Sequence, residues 1–73
     1  MTTHEIISKF KGHIVTKILD YNDKYFVVEA MDRAKDSALY TVNKNSGLVG
    51  GFAPMSDFNT FSDALKNRVI FER

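Results

Sequence analysis

The apolar residues of this chain follow a helical period near both ends and an alternating period between them. Near the N-terminus, Thr2 followed by Glu5 matches a capping box, in which a hydroxyl and an acid three residues later satisfy free N–H groups at the start of a helix. A narrow apolar stripe at helical spacing follows, made of Ile6, Ile7 and Phe10. We therefore predict a short helix over about residues 3–11, which Gly12 ends.

A first β-hairpin is predicted from strands at about 14–19 and 25–31. Residues 21–24 would form its turn, since Asn and Asp tolerate the positive φ of tight hairpins. Alternate side chains of a strand point to opposite sides. We expect the all-apolar face of the second strand to be buried and the other face to be open to solvent. The buried set is Phe26, Val28 and Ala30, and the open set is Tyr25, Val27, Glu29 and Met31.

A second hairpin is predicted over residues 38–52. Its first strand covers about 38–43, and Gly47 lies where the turn needs a residue in the left-handed region. The fourth strand continues from Leu48 to Phe52, and the paired glycines Gly50 and Gly51 predict a bend or bulge within it.

A second helix is predicted after Pro54 interrupts the sheet. Ser56 or Asp57 can cap it, and it ends near Asn67. Its core-facing stripe is Phe58, Phe61, Ala64 and Leu65. The last residues, 68–73, contain three consecutive apolar side chains, so this tail is either docked on the domain or flexible and available to a partner.

These elements predict one α+β domain over residues 1–73. The order is α-β-β-β-β-α, and short connections favour a four-stranded antiparallel meander. We expect a two-layer architecture in which the N-terminal and C-terminal helices cover one face of the sheet.

Composition and charge narrow the class of protein. The chain is 44% hydrophobic and has no Cys, which favours a reducing, cytoplasmic setting. The N-terminus shows no signal-peptide pattern and no apolar run could span a bilayer, so we expect no membrane association. Ten Lys and Arg against nine Asp and Glu give a net charge of +1, spread along the chain. Nucleic-acid binding is therefore not favoured.

No pattern of catalytic or metal-binding residues is found. His4 and His13 lack the spacing of metal ligands, and the serines have simple explanations in helices, turns or caps. The glycines of "GLVGG" lack the spacing of a phosphate-binding loop. We therefore predict no catalytic residue, no metal site and no cofactor, and a protein that is not an enzyme.

The remaining signal is a surface for protein–protein contact or self-association. The predicted solvent face is partly apolar, and a short sheet has two open edges that can accept a partner strand. The candidate interaction surface is Tyr25, Val27, Met31, Arg33, Leu39, Ile70 and Phe71.

The pattern Tyr40-x-Val42, a polar turn and Gly47-Leu48-Val49 resembles the strand–turn–strand signature of PepSY-type domains. Asn43 stands for the usual Asp and Ser46 for the usual Thr. The resemblance covers about residues 5–49, and implies a role in restraining peptidases. PepSY modules are typically exported or membrane-attached, whereas this chain shows no export signal and adds a C-terminal helix.

The C-terminal half is similar to small uncharacterised proteins encoded by phages and prophages. In those, a hairpin leads through "F-x-P" into a closing helix "D-x-x-x-F-x-x-A-L". The matching residues are Phe52, Pro54, Asp57, Phe61, Ala64 and Leu65. This similarity implies a small accessory or virion-associated protein.

Three functions remain open from the sequence. The first is a non-enzymatic interaction or accessory module, with a protein partner or a second copy as its target. The second is a nucleic-acid-binding accessory protein, which would require the lysines to converge on one face. The third is a PepSY-like module that restrains a peptidase.

Overall fold

The computed structural model describes residues 1–53 and 58–73 of the chain. All strand pairings in this part are antiparallel, in the order β4-β3-β2-β1-β5. The elements are α1 Thr3–Ser8, β1 Ile14–Asp20, β2 Tyr25–Met31, β3 Ser37–Asn43, β4 Val49–Gly51, α2 Phe58–Asn67 and β5 Val69–Glu72. The α+β class and the meander of the first four strands are confirmed, and the sheet gains a fifth strand that was not predicted.

Helix α1 begins with the predicted capping box. The Glu5 N–H donates to Thr2 Oγ1 over 3.2 Å, and the Thr2 N–H donates to Glu5 Oε1 over 3.3 Å. The helix ends at Ser8, earlier than predicted, because tighter turns replace its helical bonding from Lys9 onward. Gly12 follows with φ +84°, a conformation that favours glycine.

An Asn side chain caps each hairpin turn, Asn22 in the first and Asn43 in the second, but only the second turn contains a residue in the left-handed region. Gly47 has φ +75°, as predicted. In the first turn, Asn22 Oδ1 accepts hydrogen bonds from the N–H groups of Lys24 and Tyr25, both over 2.9 Å. Neither Asn22 nor Asp23 has a positive φ. The location of this turn was predicted correctly, but the reason was wrong, since the side-chain cap of Asn22 sets the turn.

The two helices pack on opposite faces of the sheet, so the predicted two-layer arrangement is wrong. The cluster under α1 contains Ile6, Phe10, Val15, Ile18, Phe26, Val28, Ala30 and Val42. The cluster under α2 contains Leu19, Tyr21, Val27 and Ala64, with Leu39, Phe52, Phe61 and Val69 packed against it. β2 is the central strand and both of its faces are covered, which explains its nearly continuous apolar sequence.

The C-terminal segment docks as β5 beside β1. The Asp20 N–H donates to the Arg68 carbonyl over 2.8 Å, and the Arg73 N–H donates to the Thr16 carbonyl over 2.9 Å. Val69 packs on the α2 side and Phe71 on the α1 side. Helix α2 connects the two edges across the sheet and ends at Asn67, as predicted; its predicted cap at Ser56 or Asp57 lies outside the described residues.

Candidate interaction surface

The described residues do not gather the side chains of a metal site. No group of three or more His, Cys, Asp or Glu side chains in residues 1–53 and 58–73 could hold a metal ion. His4 and His13 are both exposed, and the His13 ring lies edge-on to Tyr40 with 6.2 Å between the ring centroids. No helix in the same part of the chain is long and apolar enough to cross a membrane.

An open pocket of about 310 Å³ lies between the first hairpin turn and α2. It is lined by Tyr21, Asn22, Asp23, Thr60, Asp63, Ala64 and Arg68. Several polar groups of the pocket form hydrogen bonds with neighbouring residues. The Arg68 guanidinium donates to the Tyr21 carbonyl, and Asp63 accepts from the Asn67 amide over 3.0 Å. The Arg68 bond holds the connection from α2 to β5 against the end of β1, whereas the Asp63 bond lies within α2.

The predicted surface is not continuous in the structure. Val27 is 0% exposed beneath α2, so the expectation that it faces solvent is wrong. Leu39 is half-buried against the same cluster, and Phe71 is half-buried on the opposite face. The prediction is wrong here because α2 covers the face that the alternating pattern leaves to solvent.

The other predicted surface residues lie apart from one another. Tyr25 and Met31 are half-buried at opposite ends of β2, and Arg33 is exposed in the following loop. Ile70 is 45% exposed at the β5 edge. The structure therefore does not bring the predicted set together as one patch.

The β5 edge has features that oppose pairing with another strand. Ile18 pairs with Phe71 and Leu19 with Val69, so Ile70 is an extra residue at a bulge. Lys17 Nζ lies 3.4 Å from Glu72 Oε2, and Arg73 follows directly. Bulges and charges are devices by which proteins protect a sheet edge.

The other edge strand, β4, differs from β5 in the direction of its main-chain groups. The Asn43 N–H donates to the Leu48 carbonyl over 2.9 Å, and the Phe52 N–H donates to the Leu39 carbonyl over 3.3 Å. Leu48 and Phe52 therefore direct their main-chain groups toward β3. Because successive residues alternate in direction, Val49 and Gly51 direct theirs away from the sheet.

The side chains along β4 leave this edge accessible. Val49, Gly50 and Gly51 are all exposed, and a Cβ added at Gly51 would meet no atom within 4 Å. Leu48 is 73% exposed, more than any other large apolar side chain of the described residues. No charged residue occurs between Asn45 and Ala53. The exposed main chain and apolar side chains of Leu48–Gly51 define what we term the β4 edge.

The sequence contained part of this signal. The open edges and a fourth strand were predicted, but the bulge expected at Gly50 and Gly51 is wrong, because both pair with β3 in regular register. The seven candidate residues also did not include Leu48 or Val49. Which strand would lie at an edge depends on β5 pairing with β1, and that long-range contact could not be inferred from local patterns.

Comparisons with known proteins give no match to this chain among family models, curated protein sequences or solved structures.

Proposed function

We propose that this protein is a non-enzymatic interaction module that binds a protein partner by adding a strand at the β4 edge. The observation that supports this proposal is the outward direction of the Val49 and Gly51 main-chain groups beside the exposed Leu48 side chain. Strand addition uses such main-chain groups for affinity and neighbouring apolar side chains for specificity.

The contrast between the two edges favours β4 as the binding edge. A bulge and charged residues protect β5, whereas β4 has neither charge nor bulky side chains at Gly50 and Gly51. Unprotected sheet edges invite pairing with another chain, so soluble proteins rarely leave one open without a use. The cytoplasmic location inferred from the cysteine-free sequence is part of this proposal.

The experiment is a capture assay with the tagged full chain and two variants at one position. Val49→Pro removes the outward N–H while leaving the inward bonds to β3 in place. Val49→Thr keeps both the N–H and the branched side chain, so it is the matched control. Both variants are checked for unchanged far-UV circular dichroism and cooperative unfolding before the assay.

We expect Val49→Pro to lose the proteins that the wild-type chain and Val49→Thr retain from a lysate of the natural host. Equal capture by Val49→Pro would contradict binding at this edge. The lysate is also treated with nuclease, because capture that vanishes would favour the nucleic-acid alternative. Dose-dependent inhibition of host peptidase activity that persists in Val49→Pro would favour the PepSY-like alternative.

Two neighbouring residues of the predicted surface, the half-buried Met31 and the exposed Arg33, give a second hypothesis within the same functional class. Met31 and Arg33 lie at the end of the sheet away from the first turn. Loss of capture in Met31→Asp or Arg33→Glu, with capture retained in Val49→Pro, would move the binding site to that end.

A further inference from the structure

We propose that the β4 edge pairs with the β4 edge of a second copy of this chain, in an antiparallel register centred on Gly50. This inference rests on the proposed function and names the partner of the same edge. The result would be one continuous sheet through both copies, with a two-fold axis passing between the two Gly50 residues.

The main-chain groups of β4 are self-complementary in this register. Val49 of one copy lies opposite Gly51 of the other, and the reverse pair is equivalent by symmetry. Both residues direct their N–H and C=O groups outward. Outward groups therefore meet outward groups, and two hydrogen-bonded pairs would form about four main-chain bonds.

The side chains are also complementary in size. Val49 lies opposite the glycine at position 51, so its branched side chain has space on the α1 face. On the other face, the exposed Leu48 lies opposite Phe52 of the second copy. Symmetry repeats this apolar contact, and the two Gly50 residues on the axis leave room between the two contacts.

Charge does not oppose this pairing. The segment from Asn45 to Ala53 is uncharged, so no like charges are brought opposite each other. The short strand also favours a second copy over an unrelated extended peptide. A peptide could use each feature of β4 once, whereas the symmetric pair uses the Leu48 and Val49 contacts twice.

Engineered cysteines test the register directly, because the natural chain contains no Cys. In Gly50→Cys, the two thiols would lie opposite each other at a non-hydrogen-bonded pair, where Cα atoms are about 4.5 Å apart and a disulfide can form. The new Cβ would lie 3.2 Å from Thr41 Oγ1, a side-chain atom that can shift slightly.

The matched control is Gly51→Cys, which places a thiol one residue away, in space that is open in the single chain and faces Val49 of the second copy in the proposed register. In the proposed register, its symmetry mate would be more than about 7 Å away between Cα atoms, too far for a disulfide. Under mild oxidation at high protein concentration, we expect Gly50→Cys to form covalent dimers at least about tenfold faster than Gly51→Cys. Equal rates, or faster linkage in Gly51→Cys, would overturn the register.

Sedimentation of the wild-type chain from about 10 µM to about 1 mM tests association without a crosslink, since an interface this small is expected to be weak. We expect a concentration-dependent dimer, whose dissociation constant rises about tenfold in Val49→Pro and is unchanged in Val49→Thr. A wild-type monomer throughout, or a dimer insensitive to Val49→Pro, would overturn self-pairing. If the wild type is monomeric but Val49→Pro still abolishes capture of another protein, the proposed function stands and only the second copy is excluded.

Discussion

The strands β5 and β4 form opposite edges of the same sheet, but they are anchored differently. β5 places Val69 in the cluster beneath α2 and Phe71 against the cluster beneath α1. β4 has one side chain larger than glycine, Val49, and that side chain is exposed. A strand anchored on both faces stabilises its own fold. A strand held mainly by main-chain bonds on one side can accept a second neighbour on the other.

The difference in anchoring follows from the amino-acid composition of the two strands. Val69, Ile70 and Phe71 are residues that pack well in sheets, whereas Gly50 and Gly51 lower strand stability and have no side chain to pack. We therefore expect the two edges to differ in stability as much as in structure.

The largest effect is expected from deleting residues 69–73. The deletion removes a strand and its side chains from both clusters, exposing Leu19 and Ile18 in β1. A chain of this size has a free energy of unfolding of only about 4–11 kcal/mol, and losing a strand with two packed side chains should remove most of it. We expect near-UV circular dichroism and dispersed amide signals to be lost.

The control for this deletion is Val49→Gly, which makes β4 entirely glycine. We expect Val49→Gly to retain a cooperative unfolding transition. If the shortened chain also unfolded cooperatively with native signals, β5 would be dispensable and the contrast between the edges would be wrong.

The local elements of the fold could be predicted from the sequence because short-range chemistry determines them. The capping box of Thr2 and Glu5 and the left-handed Gly47 formed as predicted. The side of the sheet on which each helix packs could not be predicted in this way. In β2, Val27 and Val28 are both apolar, and only the path of α2 from β4 to β5 decides that both are buried.

The same limit applies to the candidate surface. The alternating pattern of β2 and β3 places Val27 and Leu39 on an open face, but α2 crosses that face and both side chains pack in the cluster beneath it. The open edges were predicted in general terms. Identifying β4 as the accessible one required the hydrogen bonds of Leu48 and Phe52, which show where Val49 and Gly51 point.

Phe71→Ala should have the next largest effect. Phe71 is half-buried against the α1-side cluster, so we expect the free energy of unfolding to fall by about 2 kcal/mol, below the range for fully buried aromatic residues. Ile70→Ala is the control, because Ile70 is exposed at the bulge and should change stability by less than about 0.5 kcal/mol. Urea denaturation measures both. An equal loss of unfolding free energy in the two variants would show that Phe71 does not anchor β5 more strongly than the exposed Ile70.

Gly47→Ala tests the turn that leads into β4. Because Gly47 has φ +75°, an alanine there should lower the free energy of unfolding by about 1 kcal/mol, the cost of placing a Cβ in the left-handed region. A Cβ would also approach Lys9 Nζ at 2.9 Å, but this flexible side-chain end can move away. Gly51→Ala is the control, with open space and no positive φ, and should be close to neutral. A neutral Gly47→Ala in thermal unfolding would contradict the strained turn.

Glu72→Gln should have the smallest effect and separates charge from packing at the β5 edge. The ion pair between Lys17 and Glu72 is largely exposed on the Glu72 side, and exposed pairs contribute about 0–1 kcal/mol. We expect a loss of less than about 0.5 kcal/mol that disappears at high salt, because salt screens exposed charges. Asp36→Asn removes a loop carboxylate for which no ion pair is found among the described residues, so it controls for net charge.

A larger, salt-independent loss of stability in Glu72→Gln would mean that the charged pair anchors β5. A small loss beside the larger effect of Phe71→Ala would mean that apolar packing anchors the strand and that its charges mainly keep other strands from pairing with it.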